Sequence, residues 1–389
     1  MPVNLLIGAD IVPTETNFEA FRTPDVGKLV DHKLLSVLQS ADYRIFNLET
    51  PLTDTKAPLP KHGPQLSAPA ATATGIKALG ADFLTLANNH ILDQGAKGLA
   101  DTRAQLDKLG IAYAGAGETP EEAEKPYVVE KDGCKIGIYC CAEHEFSIVT
   151  ETTPGANPFD PLKSLDHIVK LKKSCDYVIV LYHGGKEHYP YPSPRLRQIC
   201  RKLVEKGADL VVCQHSHCIG CEENLVGGTV IYGQGNFLFD ASERDCWQTG
   251  LLLSVEIGST SKLTYLPIRK NAGAVGLAEP EDAAEILKAF RCRSEQLNRD
   301  GFVKAEYSSF ADEMLWHYLA AFSGKTLRRP VFRMVNRLSG YRFAKWYLQR
   351  KYPPAVRLSL INIVECEAHR ELLLEGLKGK EQTHAATEQ

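Results

Sequence analysis

The chain has 389 residues, a formal net charge of -3, 44% apolar residues and 24% charged residues. This composition is typical of a soluble globular protein with one large core and a smaller module, and it excludes a general affinity for nucleic acid. No apolar run reaches the roughly 18 residues of a membrane span, and the first residues lack the basic start of a signal peptide.

The predicted elements alternate between strands and helices as far as residue 215. The first half contains strand 3–9, helix 26–39, strand 43–48, a loop over 53–67 rich in Pro, Lys and Gly, helix 70–79, strand 82–87, helix 96–109 and strand 111–113. A hairpin over 127–130 and 135–141, helix 162–173, strand 177–182, helix 193–206 and strand 210–213 follow. With late strands at 229–232, 250–257 and 262–268, this order indicates an α/β fold with an antiparallel extension.

The composition changes after about residue 280. Helices are predicted at 281–298 and 310–322, and no Asp or Glu occurs from Met314 to Val364. This stretch interleaves aromatic residues with the basic residues Lys325, Arg328, Arg329, Arg333, Arg337, Arg342, Lys345, Arg350, Lys351 and Arg357. It is either a helical appendage with a solvated basic face or a patch for an anionic polymer, nucleic acid or an anionic membrane surface. Residues 379–389 are polar and are expected to be disordered.

Eleven cysteines at irregular spacing favour free thiols and a reducing compartment, so we expect a cytoplasmic protein. Cys218 and Cys221 form a single Cys-x-x-Cys pair next to His217. A structural zinc site has little support without a second pair, while a redox role or an additional ligand role stays open.

Polar side chains that suit metal binding lie at or just past the ends of several predicted strands. They are Asp10, Glu49, Asn89, His183, His215 and His217. In open α/β sheets a ligand binds beyond the carboxyl ends of the strands, so we expect these residues to form one site. His215 and His217 are two residues apart, and their imidazoles can converge only if the backbone turns. Either histidine can instead be a hydrogen-bonded core residue.

Mixed imidazole and carboxylate donors suit divalent Zn, Mn or Fe. Glu49 can bridge two ions, and two ions can clamp an in-line displacement at phosphorus and activate a water. Its alternative is a solvated acid at a strand end. Asn89 can supply an amide oxygen, although residues 88–90 can equally form a turn.

Three further residues are candidates for proton transfer. His90 is the candidate general acid, and Asp93 can fix its tautomer. His90 can instead simply cap the turn at 93–95. Glu187 can orient a ligand or act as a base, and a surface loop acid is an equally good interpretation.

At these motifs the chain resembles the CapA family of poly-gamma-glutamate and capsule biosynthesis proteins, which are related to calcineurin-like metallophosphoesterases. The matching segments occur in family order over about residues 3–270: Gly8-Ala9-Asp10, Asn47-Leu48-Glu49-Thr50-Pro51, Leu86-Ala87-Asn88-Asn89-His90-Ile91-Leu92-Asp93, Gly115-Ala116-Gly117, His183-Gly184-Gly185-Lys186-Glu187, Gln214-His215-Ser216-His217 and Tyr232-Gly233-Gln234-Gly235-Asn236-Phe237. The ordered set is far more specific than any single motif. The C-terminal portion lies outside the resemblance.

The resemblance implies a four-layer αββα metallophosphoesterase-like sandwich over residues 1–275, followed by a basic helical extension over 276–378. It implies one ion held by Glu49, Asn89, His183 and His215, and another held by Asp10, Glu49 and His217. Asn88, Gly184 and Asn236 are expected to bind substrate. Two positions depart from the metallophosphoesterase pattern, because Val12 replaces a histidine and Glu49 replaces the usual Asp. The Asp10 side is therefore expected to be poor in ligands.

Three functions are compatible with this resemblance. The first is a metal-dependent hydrolase of a phosphoester or of an acidic peptide-like or glycan-like substrate, with a metal-activated water as nucleophile and His90 as the acid for the leaving group. The second is a peptide epimerase, which moves a Cα proton without breaking the chain. The third is a non-catalytic accessory protein that binds an anionic polymer during capsule assembly.

Overall fold

The computed structural model describes residues 2–271, 273–324, 327, 330–340 and 342–378. The chain divides into two compact units, Met1–Lys304 and Ala305–Gln389. All of the candidate site residues belong to the first unit. The predicted disordered tail, 379–389, lies outside the described residues.

The described strands belong to the first unit. They are β1 (Val3–Val12), β2 (Tyr43–Leu48), β3 (Phe83–Thr85), β4 (Ala112–Ala114), β5 (Ala116–Gly117), β6 (Tyr127–Lys131), β7 (Cys134–Ala142), β8 (Gly155–Ala156), β9 (Tyr177–His183), β10 (Leu210–Gln214), β11 (Glu222–Leu225), β12 (Gly228–Tyr232), β13 (Asn236–Phe239), β14 (Thr249–Ile257), β15 (Ser261–Asn271) and β16 (Ala274–Leu277). The predicted strands are all present. Of the late ones, β14 and β15 are antiparallel as expected, whereas β12 pairs in parallel with β10.

The helices flank these strands along the chain. They are α1 (Phe18–Phe21), α2 (His32–Ser40), α3 (Ala73–Ala78), α4 (Gly95–Leu109), α5 (Pro120–Ala123), α6 (Ser164–Ser174), α7 (Pro194–Glu205), α8 (Pro280–Leu297), α9 (Phe302–Phe322), α10 (Pro330–Leu338), α11 (Arg342–Lys351), α12 (Pro354–Glu365) and α13 (Glu367–Lys378). Short 3-10 turns occur at Val26–Lys28, Ala70–Thr72 and Asp245–Trp247.

The strands form two main sheets. The first has the order β16-β15-β14-β1-β2-β3-β4, and β13 also pairs with β1; the second has the order β11-β12-β10-β9-β7-β6. Strands β1 to β4 are parallel in the first sheet, and β7, β9, β10 and β12 are parallel in the second. The carboxyl ends of these parallel strands carry the candidate site.

Alternating side chains place one core between the sheets and one on each outer face. On β9, Ile179 packs between the sheets, whereas Val180 packs against α6 and α7. On β1, Leu5 packs between the sheets, whereas Leu6 packs in the core that includes α2, α3 and α4. A strand with both faces covered requires apolar residues at every position. The layers therefore follow the predicted αββα order.

One predicted helix is wrong in its first half. Apolar spacing predicted a helix over 26–39, but a 3-10 turn at Val26–Lys28 is separated from α2 by a break. The Asp31 side chain accepts a hydrogen bond from the Leu34 amide at 2.7 Å. An N-cap of this kind starts a new helix, because it satisfies an amide that a continuous helix would have used internally.

The predicted division at 275/276 falls ahead of the boundary between the compact units. Helix α8 packs on β11 and β15, and its Phe290 lies in the core between the two sheets. The Glu222 amide also donates to Ser294 Oγ at 2.9 Å. Helix α8 is therefore part of the first unit, although the sequence predicts it as the start of the extension.

The second unit is helical, as the sequence predicts. A small core of Leu319, Leu348 and Tyr352 joins α9, α11 and the neighbouring α12. Within the described residues, every helix falls short of the length and apolarity needed to cross a bilayer.

Candidate metal centre

Five strands bring the predicted metal donors to one end of the two sheets. Asp10 lies near the end of β1, Glu49 follows β2, Asn89 follows β3, His183 ends β9, and the two remaining histidines follow β10. All six side chains are buried. The rule that ligands bind at the carboxyl ends of parallel strands thus brings together residues from more than 200 positions of sequence.

His183 lies at the centre of the first group of donors. Its Nε2 is 3.2 Å from Glu49 Oε1, 3.0 Å from Asn89 Oδ1 and 3.0 Å from His215 Nδ1. Separations of about 3 Å are the spacing expected of donor atoms that share one ion at bonds of about 2.1 Å. The four residues predicted for one ion are therefore together.

Glu49 also connects this group to His217. The donor atoms of Glu49, His215 and His217 all lie within 4.8 Å of one another. His217 Nε2 is 3.9 Å from Glu49 Oε1, and His217 Nδ1 is 3.4 Å from Asp10 Oδ2. Glu49 thus lies between the His183 group and His217, which is where a carboxylate that bridges two ions would have to lie.

A turned backbone makes the two neighbouring histidines converge. The φ angles of His215 and His217 are 91° and 52°. Non-glycine residues rarely adopt this left-handed region, and each such residue costs about 1–3 kcal/mol. The segment Gln214–His217 therefore holds strain that the surrounding sheet must offset, which is common where side chains have to converge on a ligand.

The electrostatics of the cluster favour a cation. Both carboxylate oxygens of Glu49 are buried and have no hydrogen-bond partner among the described residues. Burial works to raise the pKa of Glu49, but His217 and His183 together lower it below its ordinary value. A buried, ionised carboxylate without hydrogen bonds requires a positive partner. The donor set fits a divalent ion, which Glu49, Asn89, His183 and His215 would hold with help from His217.

The neighbouring histidines respond to the same charges in opposite directions. Burial and the adjacent His183 lower the pKa of His215 well below its ordinary value, which favours the neutral imidazole that a metal needs. Burial also opposes charge on His217, but Glu49 and Asp10 raise its pKa to about 9. His217 is therefore the histidine of the cluster whose charged form the two carboxylates favour.

The Asp10 side of the cluster has fewer donors. Burial, with a contribution from Glu49, raises the pKa of Asp10. Asn47 Nδ2 donates to Asp10 Oδ1 at 2.7 Å. Position 12, where the metallophosphoesterase pattern has a histidine, is Val12, and it packs with Phe239 and Trp247. Position 12 therefore supplies no donor atom to the Asp10 side of the cluster.

His90 lies beside the cluster and is held by two charged residues. Its Nδ1 is 2.6 Å from Asp93 Oδ2 and 3.1 Å from Lys61 Nζ, and Lys61 also pairs with Asp93. The shorter contact favours a proton on Nδ1 that is donated to the carboxylate. His90 Nε2 is then the atom that can take up or release a proton.

The remaining predicted residues have other contacts. Asn88 donates to Asn47 Oδ1 at 3.1 Å and to Leu48 O at 2.8 Å, and Asn236 Oδ1 is 2.9 Å from His217 Nδ1. The Gly184 amide donates to Gln214 O at 3.0 Å. These three residues thus support the ligands through existing contacts, and their substrate role stays a prediction. Glu187 is half-buried and lies outside the donor cluster.

Three residues near the donors were missed by sequence reasoning. Asn47 Nδ2 lies 3.3 Å from His183 Nδ1 as well as contacting Asp10, so it connects the two sides of the cluster. Glu145 Oε2 accepts from Asn89 Nδ2 at 3.1 Å, and its other oxygen is 3.8 Å from His215 Nε2. Asn47 and Glu145 lie at or near strand ends, which was the available signal, whereas Lys61 lies in the predicted loop over 53–67.

The cysteines stay outside the donor cluster. All eleven are free thiols, as the sequence predicts. Burial raises the pKa of Cys218 to about 12, and it also raises the pKa of Cys221 above its ordinary value. Both groups are therefore neutral thiols at physiological pH, and a thiolate ligand is disfavoured.

The fold and the site together define a two-sheet α/β protein with a buried cluster of histidine, carboxylate and amide donors. The family model described as bacterial capsule synthesis protein PGA_cap matches residues 5–241. The chain belongs to this family, which confirms the resemblance seen in the ordered motifs.

Two relatives are proteins named CapA. The chain is 32% identical over 212 residues to the capsule biosynthesis protein CapA of Bacillus anthracis, an alignment that covers 52% of each chain. It is 30% identical to the PGA biosynthesis protein CapA of Bacillus subtilis, covering 52% of this chain and 55% of that protein. The chain thus spans about half the length of these relatives.

Among solved structures, the NAD nucleotidase of Haemophilus influenzae overlaps with 81% of this chain and 68% of its own, at 13% identity and a TM-score of 0.44. This identity and this TM-score are too low to support a functional assignment.

Proposed function

We propose that this protein is a metal-dependent hydrolase that acts on a phosphoester or on another acidic or polymeric substrate in capsule or poly-gamma-glutamate biosynthesis. The proposal rests mainly on the environment of Glu49. Its carboxylate is buried, its two oxygens have no hydrogen-bond partner among the described residues, and it lies next to His183 and His217. The names of the CapA relatives supply the biosynthetic setting.

One divalent ion, Mn, Zn or Fe, is the cofactor that the proposal assigns to Glu49, Asn89, His183 and His215. When bound, such an ion polarises a phosphoryl or carbonyl oxygen and lowers the pKa of water. Val12 leaves the Asp10 side short of ligands, so any second ion would be held there weakly. Asn47 Nδ2 contacts Asp10 Oδ1 at 2.7 Å and lies 3.3 Å from His183 Nδ1, so Asn47 lies between the two sides of the cluster.

His90 serves as the proton donor for the leaving group. Asp93 keeps a proton on Nδ1, which leaves Nε2 free to exchange protons with a bound substrate. The imidazole is close enough to Glu49 to contribute to the lowered pKa of that carboxylate. His90 thus lies beside the donor cluster, within reach of a substrate held there.

The test measures metal content and phosphoester hydrolysis on the same samples. The purified protein should hold close to one ion per chain and hydrolyse a generic aryl phosphate with Mn, Zn or Fe. Glu49→Gln should lose the ion and the activity, whereas Glu130→Gln, on an exposed position of β6, should keep both. A metal-loaded protein that is inactive on phosphoesters and acidic peptides would contradict the hydrolase.

Two other outcomes would identify the alternative functions. Deuterium incorporation at a Cα position of a peptide, without cleavage, would assign the site to epimerisation. Salt-sensitive binding of polyglutamate that persists in His215→Ala, with no turnover, would assign the protein to an accessory role.

A further inference from the structure

Helix α10 in the second unit presents an apolar stripe that nothing described in that unit covers. Val331 is 69% exposed, Met334 58% and Leu338 80%. Their spacing of three and four residues places them on one face of the helix. A soluble surface rarely exposes such a row without a partner.

The other side of α10 is used for packing within the unit. The Phe332 ring lies 5.1 Å from the Phe343 ring and 5.3 Å from the Tyr347 ring, both on α11. These contacts fix α10 against α11, while Val331, Met334 and Leu338 stay exposed. The stripe is therefore exposed on a helix whose opposite face is packed against α11.

Positive charge surrounds this stripe. The sequence has no Asp or Glu from Met314 to Val364. On α10, Arg333 and Arg337 lie on the side away from Phe332, and neither forms an ion pair with an acid within the described part of the chain. On α11, the half-exposed Trp346 has the Arg350 guanidinium 4.9 Å from its ring centre. An apolar row next to arginines without an acidic partner is typical of an interfacial segment, and α11 adds a half-exposed Trp to the same unit.

We propose that α10 and α11 form a peripheral docking surface for an anionic lipid membrane. An anionic polymer would match the arginines but would leave Val331, Met334 and Leu338 in water. A lipid surface matches both features, since acidic headgroups attract the arginines and the acyl boundary receives the apolar row. Because α10 is short, the contact is reversible and needs apolar and electrostatic contributions together.

The first experiment is co-sedimentation of the full chain with vesicles. Vesicles of phosphatidylcholine with about a third phosphatidylglycerol should bind the protein, and vesicles of phosphatidylcholine alone should not. Raising the salt concentration should release it, because screening weakens the arginine contacts. The emission of Trp346 should shift to shorter wavelength on binding, and Trp346→Phe should remove that shift.

Matched variants then separate the two contributions. Leu338→Asn should weaken vesicle binding roughly tenfold, because a leucine side chain no longer leaves water. Leu162→Asn, at an 84% exposed leucine of the first unit, should bind as the wild type does. Replacing Arg333 and Arg337 by Gln should weaken binding about fivefold for each charge.

Specific outcomes would overturn the membrane assignment. One is equal binding to neutral and acidic vesicles; another is unchanged binding of Leu338→Asn. A third is a dimer in vesicle-free solution that Leu338→Asn dissociates, without vesicle binding, since the stripe would then face a second copy. The unchanged far-ultraviolet circular dichroism of each variant serves as the folding control. The result does not depend on whether the metal centre is catalytic.

Discussion

Lys61 and Asp93 form an ion pair that is almost completely buried beside the candidate metal centre. The two side chains are 4% and 0% exposed. The same carboxylate accepts a hydrogen bond from the Leu66 amide at 2.6 Å and lies 2.6 Å from His90 Nδ1. Asp93 therefore connects the loop over 53–67 to His90, the proposed proton donor. The positive charge of Lys61 offsets the cost of burying the Asp93 carboxylate.

Lys61→Met is expected to destabilise the protein by about 3 kcal/mol, because it leaves the Asp93 carboxylate buried without its cation. The measurement is urea unfolding, with Lys97→Met as the matched control. Lys97 pairs with Asp101 near the surface, so its loss should stay within about 0.5 kcal/mol. Equal losses in the two variants would show that Asp93 does not depend on Lys61.

The general location of the site could be predicted from sequence because strand ends can be recognised. The apolar runs before Asp10, His183 and His215 mark buried parallel strands, and each run stops at a polar residue. A parallel α/β order then brings those ends together. The two outer helix layers, in contrast, were expected only from the family resemblance.

The finer arrangement could not be predicted, because it depends on contacts between distant segments. Nothing near Asn47 in sequence shows that it contacts both Asp10 and His183. Helix α8 lies within the extension as the sequence predicts it, yet Phe290 lies between the sheets. The prediction of one helix over 26–39 was wrong because the apolar spacing does not change at Asp31, where the side chain caps the start of α2.

The number of ions should depend on Glu49 and not on Asp10. Asp10→Asn is expected to retain the single tightly bound ion, since the donors around His183 are intact. Glu49→Gln should lose it, because a neutral amide replaces the carboxylate that contacts His183. Metal analysis after gel filtration measures both. Two ions per chain in the wild type, with one lost in Asp10→Asn, would contradict the proposed weakness of the Asp10 side.

Removal of the metal should destabilise the protein. A ligand present at about 100 to 1,000 times its dissociation constant contributes about 3–4 kcal/mol, so a chelator should lower the free energy of unfolding by that amount. Glu49→Gln should respond little to the chelator, because it binds little metal. Wild-type unfolding that is identical with and without chelator would mean that the cluster is stable without an ion.

The environment of Glu223, outside the metal centre, makes the stability of the fold depend on pH. Arg197 and Arg201 donate to its carboxylate, and Tyr232 Oη donates at 2.9 Å. Burial opposes the charge, but these hydrogen bonds lower the pKa of Glu223 below its ordinary value of 4.5. The folded state then binds fewer protons than the unfolded state, so this stabilisation is complete above the ordinary pKa and is lost as the pH falls through the folded pKa.

Glu223→Gln should therefore cost about 2–3 kcal/mol at neutral pH, where two arginines lose their counter-charge. The difference from the wild type should shrink as the pH falls below the ordinary pKa of 4.5, because the unfolded wild type then takes up a proton that the folded carboxylate resists. Urea unfolding at both pH values measures it. Glu205→Gln removes an exposed acid that pairs with Lys202, and it should change stability little at either pH. A Glu223→Gln cost that is constant, or that grows toward acid, would show that the arginine contacts do not hold this carboxylate ionised.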